Sequence, residues 1–196
     1  MTLKAPKSIA ISKPADGFSL AELIATVAIA GILLAVGVPS LLRLISGSLI
    51  TGYSDALTVS LALARSEAIV EKTTTTICKS ADLLTCDSSV DWHDGWIVFT
   101  DANENQTVDG TDRIVRIHEA LSADTGLRYN NGNYLKYGYK GDLNSGAGTF
   151  TFCPAENDTS LARALIVAAT GRVRNSTDSN SDNVHEDGSG NALTCP

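Results

Sequence analysis

The stretch Gly17-Phe-Ser-Leu-Ala-Glu22-Leu-Ile-Ala-Thr-Val-Ala-Ile-Ala-Gly-Ile-Leu-Leu-Ala-Val-Gly-Val-Pro39-Ser-Leu-Leu42 decides how the rest of the chain is read. It holds one charged residue, Glu22, and none from Leu23 to Leu42. About 20 uncharged, mostly apolar residues form a helix roughly 30 Å long, which is the thickness of a bilayer's hydrocarbon core. Ahead of it lies a polar leader with Lys4, Lys7, Lys13 and Asp16. That excess of Lys places the N-terminus in the cytoplasm and the bulk of the chain beyond the membrane. A secretory signal peptide would be cut after an apolar core of roughly 7–15 residues. This run is longer, the expected cleavage point at Gly17–Phe18 precedes it, and the apolar pattern continues past Pro39. The sequence therefore predicts an anchor that stays on the protein. A carboxylate at Glu22 is costly in lipid and calls for a functional reason.

The 196 residues allow one domain besides the anchor. Net charge is −7, and loss of a leader with three Lys and one Asp would make it −9. That balance disfavours a general polyanion binder but leaves room for a local basic patch. Four cysteines, Cys78, Cys86, Cys153 and Cys195, fall in the exported part, where oxidation favours disulfides. Three connectivities are possible. Cys78–Cys86 with Cys153–Cys195 is favoured, since the first closes a short loop and the second ties down a polar tail. A zinc site is disfavoured because no C-x-x-C occurs and the three His are scattered.

After Pro39 the helical pattern resumes. Tyr53, Leu57, Leu61, Ala64 and Ala68 share one face, while Asp55, Thr58, Arg65 and Lys72 are expected in solvent. One helix over about Phe18–Glu71 is predicted, membrane-spanning over 18–42 and amphipathic over 43–72. Gly37-Val-Pro39 is expected as a kink or melted spot. The β-branched run from Thr73 ends the helix. Short strands follow at Gly95–Thr100, Arg113–His118, Leu127–Tyr129, Tyr134–Tyr137, Thr149–Cys153, Ala164–Ala168 and Arg172–Arg174, separated by turn residues. The fold class is α+β: a long helix packed on a small antiparallel sheet or on two. Residues 73–196 form the β-rich head. Its polar stretch 175–196 reads as a loop tethered at Cys195.

Gly17-Phe18-Ser19-Leu20-Ala21-Glu22 resembles the type III signal of type IV pilins and type II secretion pseudopilins. Leu63-Ala-Arg-Ser-Glu-Ala-Ile69, Asp94-Gly-Trp-Ile-Val-Phe99 with Asp101, Asn103 and Asn105, and Gly171-Arg-Val-Arg174 are similar to segments of the GspH/FimT family of minor pilins and pseudopilins. Ser19-Leu20-Ala21 departs from the commoner Thr-Leu-Ile, and the long tail after Arg174 is less typical. The resemblance implies cleavage of the leader 1–17 after Gly17 by a prepilin peptidase and methylation of the new N-terminal Phe18. It implies that Glu22 docks the subunit into the growing filament and that Pro39 kinks the helix. The partners it implies are other pilins or pseudopilins and an inner-membrane assembly platform. The chain would be held in a bacterial inner membrane with a periplasmic head, then built into a filament at or near its tip. A minor type IV pilin is the first reading. A GspH-like secretion pseudopilin and a DNA-binding minor pilin for natural transformation are the alternatives.

No catalytic constellation stands out: His93, His118 and His185 have no nucleophile motif near them, and no H-E-x-x-H or phosphate loop occurs. Glu22 is the leading functional residue, since its carboxylate can pair with the ammonium of a cleaved Phe18, its own or a neighbour's. Asp101, Asn103, Asn105, Asp109 and Asp112 follow the spacing of a Ca²⁺ loop. Gln106 stands at its glycine position, Asp112 at its glutamate position, and strands flank it, so a hairpin rich in Asn/Asp turns is favoured over Ca²⁺ and no cofactor is assigned. Arg172 and Arg174 alternate on a strand, with Arg163 and Arg128 expected near, a small patch for DNA phosphates. Asp178, Asp182, Glu186 and Asp187 would offset it. Trp92 and Trp96 are expected in packing.

Overall fold

The computed structural model describes residues 17–123 and 125–195, so the leader expected over 1–17 lies outside the described residues except for Gly17. The chain divides into two units at Leu42/Arg43. In the first, residues 20–42 are the opening turns of one helix, α1, which runs over Leu20–Glu71. The expected melted spot is not found, because Pro39 lies inside α1 and the helix continues through Gly37-Val-Pro39. Proline forfeits the bond to the Ala35 carbonyl and crowds that turn, at about 3 kcal/mol, yet the flanking turns remain helical.

The second unit holds the rest of α1 and eight strands: β1 (Thr75–Lys79), β2 (Trp96–Thr100), β3 (Ile114–His118), β4 (Thr125–Tyr129), β5 (Tyr134–Tyr137), β6 (Gly148–Pro154), β7 (Arg163–Val167) and β8 (Val173–Asn175). They form two four-stranded sheets, β3-β2-β1-β5 and β4-β6-β7-β8, with antiparallel pairing throughout. The α+β class holds, with two sheets in the head. Along α1 the buried face is Ile50, Ser54, Leu57, Ser60, Leu61, Ala64 and Ala68. This stripe packs in one cluster with Ile77, Trp96, Val98, Leu135 and Tyr137 of the first sheet and Leu127, Phe150, Phe152 and Leu165 of the second. Tyr53 packs against its edge. Four of the seven stripe residues are Ala or Ser, which lets β-sheet side chains come close to the helix backbone. Ser60 satisfies the buried Trp96 indole, accepting from Nε1 at 3.1 Å while donating to the Ala56 carbonyl at 2.9 Å. Trp92 and Trp96 are both core residues, as expected.

Each sheet also buries part of its outer face. Cys78, Ile97 and Phe99 form a second cluster under Leu83, Cys86 and Val108. Cys153, Ala162 and Ala164 form a third under Leu193, Val184 and Cys195 of the tail. The disulfides are Cys78–Cys86 and Cys153–Cys195, and each ties a covering loop to the sheet beneath it. Asp82 organises the first loop. Its carboxylate accepts from the Leu84 and Thr85 amides and the Thr85 and Ser80 hydroxyls, which hold its pKa far below the usual range. The tail is a loop, as expected, but it is not merely tethered, since Ser176, Glu186 and Leu193 are buried.

Arg65 corrects the expectation of a solvated side chain. It is half-buried and donates from Nε to the Gly141 carbonyl (2.8 Å) and from Nη2 to the Thr170 carbonyl (3.1 Å). Four residues beyond Leu61, it flanks the buried stripe and joins the β5–β6 and β7–β8 connections to the helix. Gly171 completes this junction: its φ is +76°, and a Cβ there would lie 2.0 Å from the Gly141 carbonyl oxygen. Two residues on from Arg65, Glu67 pairs with Arg113, which also approaches Glu71 at 3.7 Å. Arg113 thus brings positive charge to a helix C-terminus that has no basic residue of its own in its last turn.

Two stability outcomes follow from this packing. Arg65→Ala should lower unfolding free energy by roughly 2–3 kcal/mol, with Arg65→Lys intermediate because an ammonium cannot span both carbonyls. Urea melts check this, with a changed midpoint and an unchanged slope. Replacing Cys153 and Cys195 by Ala should cost more than replacing Cys78 and Cys86, because the loops closed differ, 42 residues against 8. Loop entropy puts the two losses near about 4 and about 2.5 kcal/mol. Equal thermal midpoints for the two double variants would contradict it.

Candidate functional site

In the first unit, the large apolar side chains between Phe18 and Leu42 stand in solvent, from 47% exposed at Val38 to 83% at Phe18. α1 is long and apolar enough to cross a membrane, and its most hydropathic window has none of its residues buried. A continuous apolar surface of this extent is a contact surface for lipid or for other apolar helices.

Its N-terminal end is built by a local device. Gly17, Phe18 and Ser19 precede the helix. Ser19 accepts from the Glu22 amide through Oγ (3.3 Å) and its carbonyl (3.1 Å), and from the Leu23 amide through its carbonyl (3.1 Å). Ser19-Leu-Ala-Glu22 therefore begins α1 as the serine half of a capping box. An acid in the first turn also complements the helix dipole, so Glu22 has a local reason for its place beyond any partner. Among the described residues, a Cβ at Gly17 would meet nothing within 4 Å.

Where the second unit begins, Arg43 donates to Asp158 of the β6–β7 connection at 2.6 Å. The Ser160 hydroxyl (2.6 Å) and amide (3.0 Å) donate to the other carboxylate oxygen. The Ser160 hydroxyl, then Arg43, then the Ser160 amide pull the Asp158 pKa down to about 2. The pair's contribution is thus complete above the ordinary carboxylate range and is lost as pH falls through about 2. Sequence reasoning missed this pair. Its only signal is that Arg43 is the first charge after Leu42.

The segment from Asp101 to Asp112, whose spacing also resembles a Ca²⁺ loop, lies in a hairpin of Asn/Asp turns between Phe99 and Ile114, which are paired. Asp101 is buried and acts as an anchor, accepting from the Thr76 hydroxyl (2.7 Å) and the Asn105 (3.0 Å) and Gln106 (3.2 Å) amides. Asp109 accepts from the side-chain amides of Asn105 (2.7 Å) and Asn103 (3.4 Å), and Asp112 from the Ala102 and Asp109 main-chain amides.

The arginine patch does not assemble as expected. Arg172 and Arg174 are exposed on either side of Val173, which packs on the core. Arg163 lies on the same side of β7 as Leu165, the opposite side from Ile166, the partner of Arg174. It is half-buried and donates to the Ser160 (3.1 Å) and Ala162 (2.7 Å) carbonyls. Arg128 is exposed on β4, two strands from β7 across the sheet.

The profile of the family described as Type II transport protein GspH matches residues 54–171. No curated protein matches the chain. Among solved structures, the type IV minor pilin FimU of Pseudomonas aeruginosa (strain PAO1) is similar at 21% identity over 64% of this chain and 86% of that chain, with a TM-score of 0.49. A second crystal form of FimU gives 20%, 65%, 92% and 0.49. The minor pseudopilin EpsH from the Type 2 Secretion System of Vibrio cholerae gives 12% identity over 64% of this chain and 94% of that chain, with a TM-score of 0.46. The matched span begins in the buried stripe of α1, passes through Arg65 and both sheets, and ends at Gly171, the glycine packed on Gly141. With well over half of its length matched, this chain belongs to the GspH family of pilin-like proteins.

Proposed function

We propose that the chain is a minor type IV pilin, processed between Gly17 and Phe18 and built into a pilus through α1, where it primes assembly or connects tip subunits to the filament. The observation that carries this reading is the exposed apolar run to Leu42 with a single acid at its start, in a member of a pilin-like family. In lipid or in a filament core that run is covered, and a carboxylate has few places to go. Cleavage would free an ammonium on Phe18, four residues from Glu22. Removal from water strengthens the attraction between the two charges, and leaving either alone becomes expensive. A subunit at the wrong height leaves both unpaired, so the pair selects a register. Methylation of Phe18 would keep the positive charge.

A second reading, a type II secretion pseudopilin, is favoured by the matching family, a type II transport protein family. The two differ in what fails when the gene is deleted. A pilin loss removes surface pili and leaves exoproteins secreted, whereas a pseudopilin loss strands folded exoproteins behind the outer membrane.

Glu22→Ala should leave leader removal intact, seen as an unchanged mobility shift in the membrane fraction. Incorporation into sheared filaments should fall at least about tenfold, equivalent to about 1.4 kcal/mol of docking energy. Glu22→Gln, which keeps size and loses charge, should behave like Ala. Wild-type amounts of either variant in filaments would remove the register role.

A further inference from the structure

We infer that the tail after β8 is a Ca²⁺ site formed by Asp178, Asp182 and Glu186, independent of which filament the chain enters. Carboxylate oxygens of these three residues lie within 4.8 Å of one another. A cluster of acids alone would mean little. What points to a ligand is Glu186. It is only 7% exposed, and its Oε1 is buried with no hydrogen-bond donor among the described residues. Its other oxygen accepts from the Ser179 amide at 2.8 Å. A buried carboxylate oxygen without a donor costs several kcal/mol unless a cation faces it. No Lys, Arg or His among the described residues forms a salt bridge with any of the three acids.

The chemistry of the set selects the cation. All ligands offered are oxygens, which favours a hard ion. His185, the neighbour of Glu186, is engaged elsewhere, its Nδ1 lying 3.0 Å from both the Ser176 hydroxyl and carbonyl. Asp178-Ser-Asn180-Ser-Asp182-Asn-Val184-His-Glu186 places oxygen-bearing side chains at four of its five alternate positions, with Val184 where Ca²⁺ loops use a main-chain carbonyl. Asn183 stands at the position such loops give to glycine and has the left-handed φ of +67° that the turn needs. Asp178 gathers the amides of Ser181 (2.7 Å) and Asn183 (2.9 Å), which curls the loop round its acids. A flexible oxygen cage suits Ca²⁺ better than Mg²⁺, which demands strict octahedral geometry and sheds water reluctantly. Glu186 pairs with Ala192, next to the buried Leu193 and three residues from the disulfide-bonded Cys195, so the ion would fasten the tail over the outer face of the second sheet.

The test is calorimetric titration of the full chain in detergent micelles with CaCl₂, alongside thermal unfolding with and without the ion. One site per chain is expected, with Kd about 1 mM or tighter, the range of Ca²⁺ modules outside the cytosol. The midpoint should rise with Ca²⁺ and rise less with Mg²⁺ at equal concentration. Asp182→Asn, at an exposed position that cannot affect folding through burial, should weaken binding at least about tenfold, and Glu186→Gln should abolish it. Asp109→Asn, in the other acidic loop, should bind as the wild type does. No saturable heat and no shift up to about 10 mM Ca²⁺ would overturn the assignment, as would an equal shift with Mg²⁺ or wild-type binding by Asp182→Asn.

Discussion

The head depends on one apolar stripe, Ile50 to Ala68 of α1, doing duty for two sheets at once. Each sheet has four short strands and an apolar inner face that must be covered. Both direct their inner side chains to the same helix. Loss of Leu57 or Leu61, each fully buried, would therefore open a cavity in one cluster shared by both sheets, and such truncations cost about 2–5 kcal/mol. The small residues on the stripe are part of the same solution. Bulk comes from Trp96, Phe150, Phe152 and Tyr137 on the strands, while the helix presents Ala and Ser that let those rings approach.

What the inner core cannot supply, the outer faces do. A domain of this size with two thin sheets gains from burying a second surface on each. Two loops provide it, and in each the covering segment is covalently fixed to the strand it covers, at Cys78 and at Cys153. The same logic accounts for the acids outside the core. Asp82, Asp101 and Asp178 each collect nearby amides and hold a cover loop in shape. Among the described residues, only in the tail do three carboxylates converge with one buried oxygen left without a donor.

The legible parts of the sequence were those governed by period and by covalent chemistry. The Leu57-Leu61-Ala64-Ala68 spacing located the packed half of α1, and seven of the eight strands fell within a residue or two of the predicted runs. The first, β1, begins two residues into the β-branched run that was read only as a helix end. The cysteine pairing favoured for its short first loop and its tethered polar tail is the one present. The misses involve partners far apart in sequence. Arg65 looks solvated until Gly141 and Thr170 are brought over it, 76 and 105 residues away. Arg43 finds Asp158 at a separation of 115. The tail acids were read as charge alone because their spacing matters only once the chain folds back on β8 and buries Glu186. Arg163 failed for a subtler reason: it stood just outside the strand predicted at Ala164–Ala168, and which face of β7 it takes relative to Arg174 depends on the register with β8.

The two units of α1 obey opposite rules. Beyond Arg43 the helix is held by what it packs against, and its sequence can include β-branched Thr58 and Val59 without harm. Before Arg43 the described side chains have no such support, so helicity rests on local propensity, capping and the backbone ladder alone. Ser19 and Glu22 secure the start of that segment, and Ala and Leu sustain its middle. Gly37 and Pro39 work against it, by about 1 and about 3 kcal/mol relative to Ala. Any opening of α1 in its exposed part therefore begins at Gly37-Val-Pro39, a few residues short of the Arg43–Asp158 pair that fastens the next turn to the head. An unpaired carbonyl there is tolerable in water and costly in an apolar medium, so the surroundings of the exposed run bear on whether the spot stays helical.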